Sequence, residues 1–182
     1  MEKKQLKKVD IIFATDMCDP MDVLAKTLQR SPDEVILDVI DSGLKGRGGA
    51  GFPTGLKWKF TRNESGDTKY VICNADEGEP GTFKDREILD RVPEKVLVGM
   101  AICGYAIGAR EGYIYLRGEY NFLLKGLQQK IDKFNAKARE LGLDYTIYLK
   151  SGSGAYICGE ESALFESMEG KRGEPRNKPP YP

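Results

Sequence analysis

The sequence predicts an α/β fold with a mainly parallel β-sheet and crossover helices. Short apolar runs suited to buried strands occur at residues 70–73, 112–117 and 145–149. Between them lie two segments with helical apolar spacing, residues 93–107 and 122–141. Strands that alternate with helices of about a dozen residues or more imply right-handed crossovers and parallel pairing. The chain has 182 residues, 40% of them apolar, which is enough for one domain with its own core.

The amino-terminal part is expected to be helical. Residues 1–42 form a helical lead-in to a domain that spans residues 43–182. Within the lead-in, Ser31 is predicted to cap a helix, with Pro32 at the first helical position and Glu34 completing a capping box.

The glycine-rich segment 43–55 is predicted to be a loop throughout. Residues 46–51 match G-x-G-x-x-G, but a helix precedes them where the dinucleotide fingerprint needs a strand. Residues without Cβ nevertheless let backbone N–H groups surround an anion or a flat ring, with Arg47 and Lys57 as charge partners. A flexible linker is the alternative, which stiff apolar residues such as Phe52 disfavour.

The turn after the first predicted strand is acidic. Residues 74–81 place Asn74, Asp76, Glu77 and Glu79 where α/β sheets bind ligands. Carboxylates there would accept hydrogen bonds from sugar hydroxyls. A site for a hard cation and a solvated acidic turn are the alternatives.

A second acidic loop follows the third predicted strand. Residues 151–161 run from that strand through a glycine-rich turn to a helix start at Glu160 and Glu161. The two acids disfavour a phosphate at this helix start and favour hydroxyl or amide partners, while an ordinary acidic helix N-terminus is the alternative. The helix is predicted to span residues 160–168, and the proline-rich residues 173–182 an extended tail.

Composition excludes several classes of function. The chain has no histidine, so imidazole bases, Ser/His/Asp triads, Cys/His dyads and histidine metal sites are ruled out. Cys18, Cys73, Cys103 and Cys158 form no C-x-x-C pair and are expected to be buried free thiols. The 28 basic and 28 acidic residues cancel, which disfavours nucleic-acid binding. No apolar stretch approaches the ~18 residues of a membrane span, so a soluble, cytoplasmic protein is expected.

Four runs of sequence carry a resemblance to a known family. Residues 42–58, 73–86, 113–120 and 154–164 closely resemble the NADH-binding flavoprotein subunit of respiratory complex I. Its family includes diaphorase subunits of NAD-linked hydrogenases and formate dehydrogenases. The resemblance implies a Rossmann-like domain that holds FMN, on which NADH stacks and transfers a hydride before electrons leave through iron–sulfur clusters. FMN is then the hydride acceptor, and no side chain is a nucleophile or base.

The resemblance also implies a place for individual residues around the two cofactors. It places Gly46, Arg47, Gly48, Gly49 and Lys57 around FMN and the nicotinamide, and Asn74 and Asp76 along the ribityl and phosphate portion of FMN. It places Phe52 and Phe60 at the adenine of NADH, Glu79 at its ribose and Glu161 near the nicotinamide. It places Tyr156, Gly159 and Glu160 at the flavin edge, and Lys178 and Tyr181 near the bound dinucleotide.

The carboxyl end departs from the family pattern. Family members continue into a stretch that completes the FMN pocket, a ubiquitin-like domain and a helical domain whose cysteines bind a four-iron cluster, and the sequence contains none of these. The sheet is therefore expected to be truncated there. The expected partners are other subunits of an NADH-oxidising complex, including iron–sulfur proteins, and any membrane attachment would run through that complex. A nucleotide-binding or assembly module without turnover is the alternative function.

Overall fold

The computed structural model describes residues 10–14, 18–152 and 155–178. In chain order they form α1 (Pro20–Thr27), α2 (Pro32–Asp41), α3 (Thr54–Asn63), β1 (Tyr70–Ala75), α4 (Lys84–Arg91), α5 (Pro93–Ile107), β2 (Glu111–Leu116), a first 3₁₀ helix (Gly118–Leu123), α6 (Leu124–Glu140), β3 (Thr146–Ser151), a second 3₁₀ helix (Tyr156–Gly159) and α7 (Glu161–Met168).

The strands form a parallel three-stranded sheet in the order β1-β2-β3. Helix α5 connects β1 to β2, and α6 connects β2 to β3. The register pairs Ala75 with Leu116 and Leu116 with Ser151, so the three strands end level with one another. The predicted α/β class with crossover helices is thereby confirmed.

One face of the sheet is covered by α5 and α6, which contact each other and the strands. Ile114, Leu116 and Ile147 belong to this core and are almost inaccessible to solvent. Leu24 of α1 belongs to the same core and is fully buried, because α1 packs against α5. Helix α1, which lies in the predicted lead-in, therefore shares a core with the sheet.

On the other face of the sheet, the described residues cover the carboxyl ends of the strands and leave the amino ends partly exposed. At the carboxyl ends, Tyr115 packs in a second cluster with Cys158 and Leu164, at the start of α7. Towards the amino ends, Tyr113 lies between Tyr70 and Tyr148, with ring centroids 6.1 Å and 5.3 Å apart. The result is a partly exposed row of tyrosines across all three strands.

The predicted helix boundaries follow local chemistry. The Ser31 hydroxyl accepts a hydrogen bond from the Glu34 backbone N–H, and the Glu34 carboxylate accepts one from the Ser31 N–H at 2.8 Å, which confirms the capping box. Gly43 after α2 and Gly108 after α5 have φ of 65° and 80°, a conformation that glycine adopts at helix ends without steric cost.

Several expectations from the sequence were wrong. Residues 43–55 are not a loop throughout, because Thr54 and Gly55 begin α3, and α4 also went unpredicted. The helix expected at residues 122–141 begins as a 3₁₀ helix, and α6 itself starts at Leu124. Cys18 is exposed, although a buried thiol was expected, because it lies before α1 and outside the core. None of the helices in the described ranges is long and apolar enough to cross a membrane.

Candidate functional site

The carboxyl ends of the strands bring the acidic loops to one edge of the sheet. Beyond β2, the backbone N–H of Arg117 donates to the carbonyl of Ala75 at the end of β1, at 3.1 Å. Beyond β3, the N–H of Gly152 donates to the carbonyl of Leu116 at the end of β2, at 2.7 Å. The ladder of hydrogen bonds therefore continues past the strands, and the loops that follow them leave side by side.

Asn74 ties the end of β1 to the segment before α7. Its side-chain amide donates to the carbonyl of Gly159 at 2.8 Å, and its side-chain oxygen accepts from the backbone N–H of Asp76 at 3.2 Å. A Cβ added to Gly159 would lie 3.4 Å from the carbonyl oxygen of Asp76. Three predicted site residues are thus brought together at this edge of the sheet, where a side chain at position 159 would be in van der Waals contact with Asp76.

Asp76 is a buried carboxylate with spare hydrogen-bonding capacity. The residue is 8% exposed, and its Oδ2 atom has no hydrogen-bond partner among the described residues. Burial raises the pKa of the Asp76 carboxyl, while the Arg117 guanidinium lowers it and Glu119 raises it further. A buried acceptor without a partner is unfavourable unless a ligand or water completes it.

Glu160 caps helix α7 and is held as a carboxylate. Its Oε2 accepts hydrogen bonds from the backbone N–H groups of Ser162 and Ala163, both at 2.9 Å, and from the Ser162 hydroxyl at 2.5 Å. The Ser162 hydroxyl, the Ala163 N–H and the nearby Lys178 outweigh burial and lower the pKa of Glu160 to about 2. Lys178 also forms an ion pair with Glu161.

The chain after α7 returns along that helix. The backbone N–H of Arg176 donates to the Ser162 hydroxyl at 2.9 Å, and the Arg176 guanidinium pairs with Glu166 and Glu169. This course delivers Lys178 to the two carboxylates at the start of α7. Residues 173–178 form neither helix nor strand, which agrees with the predicted extended tail. Tyr181 lies outside the described residues.

The glycine loop, residues 43–53, is closed at its base by backbone hydrogen bonds. The Gly46 N–H donates to the Phe52 carbonyl, and the Thr54 N–H to the Leu44 carbonyl, both at 2.9 Å. Its outer residues, including Arg47, Gly48 and Gly49, are exposed. The Phe52 and Phe60 rings have centroids 6.5 Å apart, and both side chains are accessible to solvent.

The loop continues directly into α3, which carries Lys57 and packs against α5. The positive charge of Lys57 acts on the Cys103 thiol of α5 and lowers its pKa, but burial has the larger effect and raises that pKa to about 12. Among the described residues, no hydrogen bond or ion pair joins residues 46–51 to the acidic loops. A cleft shared by the glycine loop and the acidic loops therefore remains a prediction.

Tyr156 and Glu79 complete the predicted set at the sheet edge. Tyr156 is exposed and lies against the acidic turn, since a Cβ added to Gly78 would lie 3.1 Å from its Cδ2 atom. Glu79 is exposed, and its carbonyl accepts from the Thr82 N–H at 3.1 Å. In the part of the chain that the structure describes, no group of three or more His, Cys, Asp or Glu side chains is placed to share a metal ion.

Sequence reasoning missed the residues that hold the acidic turn in place. The sequence pattern presents Glu77 only as one more acid of that turn, yet its carboxylate is buried and accepts from the Tyr120 hydroxyl at 2.9 Å. Arg117 was predicted only as the last residue of the second strand, and Ser162 only as part of the last helix, so neither was expected at the site. A charged residue directly after an apolar strand, as Arg117 is, was the one available signal.

Comparisons with known proteins identify the family of the chain. Residues 39–182 match the family model described as the Nuo51 FMN-binding domain. The chain is 52% identical to the NAD-reducing hydrogenase HoxS subunit alpha of Cupriavidus necator, over 94% of this chain and 30% of that protein. It is 54% identical to an NADH-quinone oxidoreductase subunit of Aquifex aeolicus, over 87% of this chain and 38% of that protein.

A solved structure shows the same fold. The crystal structure of an NAD+-reducing NiFe-hydrogenase in the H2-reduced state superposes with a TM-score of 0.86 at 46% identity, covering 92% of this chain and 29% of the other. The chain thus spans less than half the length of these relatives. The matched residues, the identity and the shared fold together show that the chain belongs to the Nuo51 FMN-binding domain family.

Proposed function

We propose that this chain is the FMN- and NADH-binding part of an NADH:acceptor oxidoreductase. In this function NADH delivers a hydride to FMN, and electrons continue to iron–sulfur clusters elsewhere in the protein or its complex. Membership of the Nuo51 FMN-binding domain family supports the flavin. The names of the relatives from Cupriavidus necator and Aquifex aeolicus, an NAD-reducing hydrogenase and an NADH-quinone oxidoreductase, support NADH as the partner of the flavin.

The observation that carries the proposal is the unpartnered Asp76 carboxylate oxygen beside Gly159. Asp76 Oδ2 lies 4.0 Å from the position of a Cβ at Gly159. Gly159 places no side chain next to that oxygen. A chain of hydroxyl groups such as the ribityl portion of FMN would donate to that oxygen and offset the cost of burying it. The residues present therefore fit the cofactor.

Each neighbouring residue then has a role in holding or orienting the cofactors. Asn74 would fix Gly159 against the flavin, and Tyr156 would cover its edge. Glu160 would stay ionised because it caps α7, and would hold Lys178 near the dinucleotide together with Glu161. In this arrangement the acidic groups would meet hydroxyl and amide groups, and Lys178 would keep both carboxylates in place through its ion pairs with them.

The glycine loop and α3 would form a second side of the cofactor site, in addition to the acidic loops. Exposed Phe52 and Phe60 offer two ring faces of the kind that an adenine stacks on. Gly46 to Gly49, with Arg47, would let the backbone approach the flavin and the nicotinamide, and Lys57 would contribute a charge from α3. Glu79 would accept hydrogen bonds from the ribose of NADH, and Tyr181 would lie near the bound dinucleotide.

Bound FMN would supply the ring that accepts the hydride. The chain contributes binding and alignment, and its lack of histidine is compatible with a transfer that needs no imidazole proton shuttle. We propose iron–sulfur proteins of the same complex as partners and the cytoplasm as the location. The relatives from Cupriavidus necator and Aquifex aeolicus are both named as parts of oxidoreductases, so nothing favours an assembly module without turnover.

The test is isolation of the chain, through an affinity tag and under mild conditions, together with the proteins that it assembles with. We expect FMN in stoichiometric amount, identified after release by its chromatographic mobility, and bleaching of its visible absorbance when NADH is added without oxygen. NADPH serves as the matched control for the nucleotide. An assembly without FMN, or FMN that NADH leaves oxidised, would overturn the proposal.

A further inference from the structure

Arg117 lies where the acidic turn meets the end of β2. It is the first residue after that strand, and its backbone N–H still pairs with β1 through the carbonyl of Ala75. Only 14% of its side chain is exposed to solvent, although it carries a full positive charge. A largely buried guanidinium is unfavourable unless its donors are used. The Nη1 and Nη2 groups of Arg117 have partners, whereas its Nε has none among the described residues, so the two Nη contacts indicate what the side chain does.

The guanidinium binds the backbone of the acidic turn. Its Nη1 donates to the carbonyl of Glu77 at 2.7 Å, and its Nη2 donates to the Glu119 carboxylate at 2.7 Å. A Cβ added to Gly78 would lie 2.9 Å from Nη1, so the backbone of the turn passes directly over the guanidinium. The planar fork of arginine fixes two acceptors at once, which a flexible lysine does not do.

The other side of the turn is fixed by the Glu77 side chain. This carboxylate is 2% exposed and accepts from the backbone N–H of Asp85 at 3.1 Å and from the Tyr120 hydroxyl at 2.9 Å. Burial raises the pKa of Glu77, but these hydrogen bonds and the charge of Lys84 outweigh it and the pKa is lowered. The turn is therefore held between Arg117 on one side and the start of α4 on the other.

With the turn attached to Arg117 and to the start of α4, Asp76 lies beside Gly159. Among the charged groups that act on its carboxylate, Arg117 favours the ionised form and Glu119 opposes it, in addition to the cost of burial. Arg117 thus influences both the position and the charge of a carboxylate to which we assign a cofactor contact.

We propose that Arg117 is a positioning residue of the cofactor site, which holds residues 76–78 in the conformation that directs Asp76 towards Gly159. The proposal rests on the proposed function for the identity of the cofactor. It assigns Arg117 no reacting atom, because its effect passes through the backbone of the turn and through Asp76.

The test compares Arg117→Met with Arg117→Lys in the full chain and in the assembly that contains it. Arg110→Met is the matched control, since Arg110 precedes the same strand and its side chain is 82% exposed, paired with Asp144. Amide hydrogen exchange of residues 75–79 measures the turn without cofactor. FMN retention at a series of pH values measures the site.

We expect exchange in the turn to increase in both Arg117 variants and not in Arg110→Met. FMN should dissociate about tenfold faster in Arg117→Met, the effect of losing one hydrogen bond from a charged donor. The pH midpoint of FMN retention should rise in Arg117→Met but not in Arg117→Lys, because lysine keeps the charge beside Asp76 and loses the fork.

Unchanged exchange in the turn of Arg117→Met, together with unchanged FMN retention, would overturn the positioning role and leave the proposed function intact. An original assembly without FMN would overturn the proposed function instead. The exchange measurement would then still decide whether Arg117 holds the turn. If Arg117→Met does not fold, Arg117→Lys gives the same comparison of exchange.

Discussion

Asp76 illustrates how a binding site is maintained at the expense of stability. A carboxyl group whose pKa is raised by burial costs folding free energy as long as it is ionised. Its Oδ2 atom receives no hydrogen bond from the described residues that would offset the cost. A ligand donor supplies that hydrogen bond, so the residue is suited to the bound state rather than to the empty one.

Asp76→Asn should therefore separate stability from binding. Removing the charge should raise the free energy of unfolding of the cofactor-free chain by about 1 kcal/mol, measured by urea denaturation. The affinity for FMN should fall ~10-fold or more, because hydrogen bonds to charged groups contribute about 1.5–3 kcal/mol. Asp67→Asn, at an exposed position, is the control for both measurements. A variant that loses stability while keeping its FMN affinity would contradict this assignment.

Glu160 makes the opposite contribution. The pKa of this carboxyl falls from its usual 4.5 to about 2, chiefly through the Ser162 hydroxyl, so the ionised form is favoured in the folded chain. Such a group contributes stability that is fully present above pH 4.5 and is lost as the pH falls through 2.

The prediction concerns the pH dependence of unfolding in Glu160→Gln. The stability difference between the original chain and this variant should be largest near neutral pH and should shrink between pH 4.5 and 2, measured by urea denaturation across that range. Glu140→Gln on the exposed face of α6 should show no such trend. A difference that stays constant with pH would mean that packing, not charge, explains the loss.

At the scale of helices, the close contact between α2 and α3 fixes the position of the glycine loop. A Cβ on Gly55 would lie 2.6 Å from both the Cγ1 and the backbone nitrogen of Ile40. The two helices approach each other so closely only because position 55 has no side chain. Since α3 begins immediately after the loop, this contact also fixes the base of the loop and the start of the helix that carries Lys57.

Gly55→Ala should destabilise the chain by about 1–3 kcal/mol, because the added methyl group forces the two helices apart. Urea denaturation of Gly126→Ala provides the comparison, since nothing lies within 4 Å of a Cβ at that position in α6. Alanine favours a helix interior over glycine by roughly 0.5–1 kcal/mol, so the control should gain stability. Equal gains in both variants would show that α2 and α3 tolerate a wider spacing.

At the scale of the whole molecule, the sheet was predictable and the helices around it only partly. The runs that became β1, β2 and β3 are apolar and bounded by turn residues, and the connection through α5 begins with proline and ends before Gly108. Helix α3 was missed because Gly55 seemed to extend the loop, while its role is a tertiary contact with Ile40. Helix α4 is short and strongly charged, so apolar spacing gave no signal for it.

The candidate site, like the fold, was predictable from the sequence only in part. The contact of Asn74 and Asp76 with Gly159 follows from parallel strands that end at one edge, which the sequence pattern predicts. The attachments of Glu77 and Arg117 depend on which backbone groups face them after folding, and no spacing in the sequence encodes that. The proximity of residues 46–51 to the acidic loops depends on the packing of α3 and stays a prediction.

Trp58 on α3 is an intrinsic fluorescence probe. It is the only tryptophan of the chain, and it packs against both the sheet core and the smaller cluster of Val35, Ile36 and Ala106. Its emission therefore registers whether α3 is seated between those two groups. Because an isoalloxazine ring absorbs in the range where indole emits, the same residue would also serve as an energy donor, from which the separation of α3 and a bound flavin could be measured in solution.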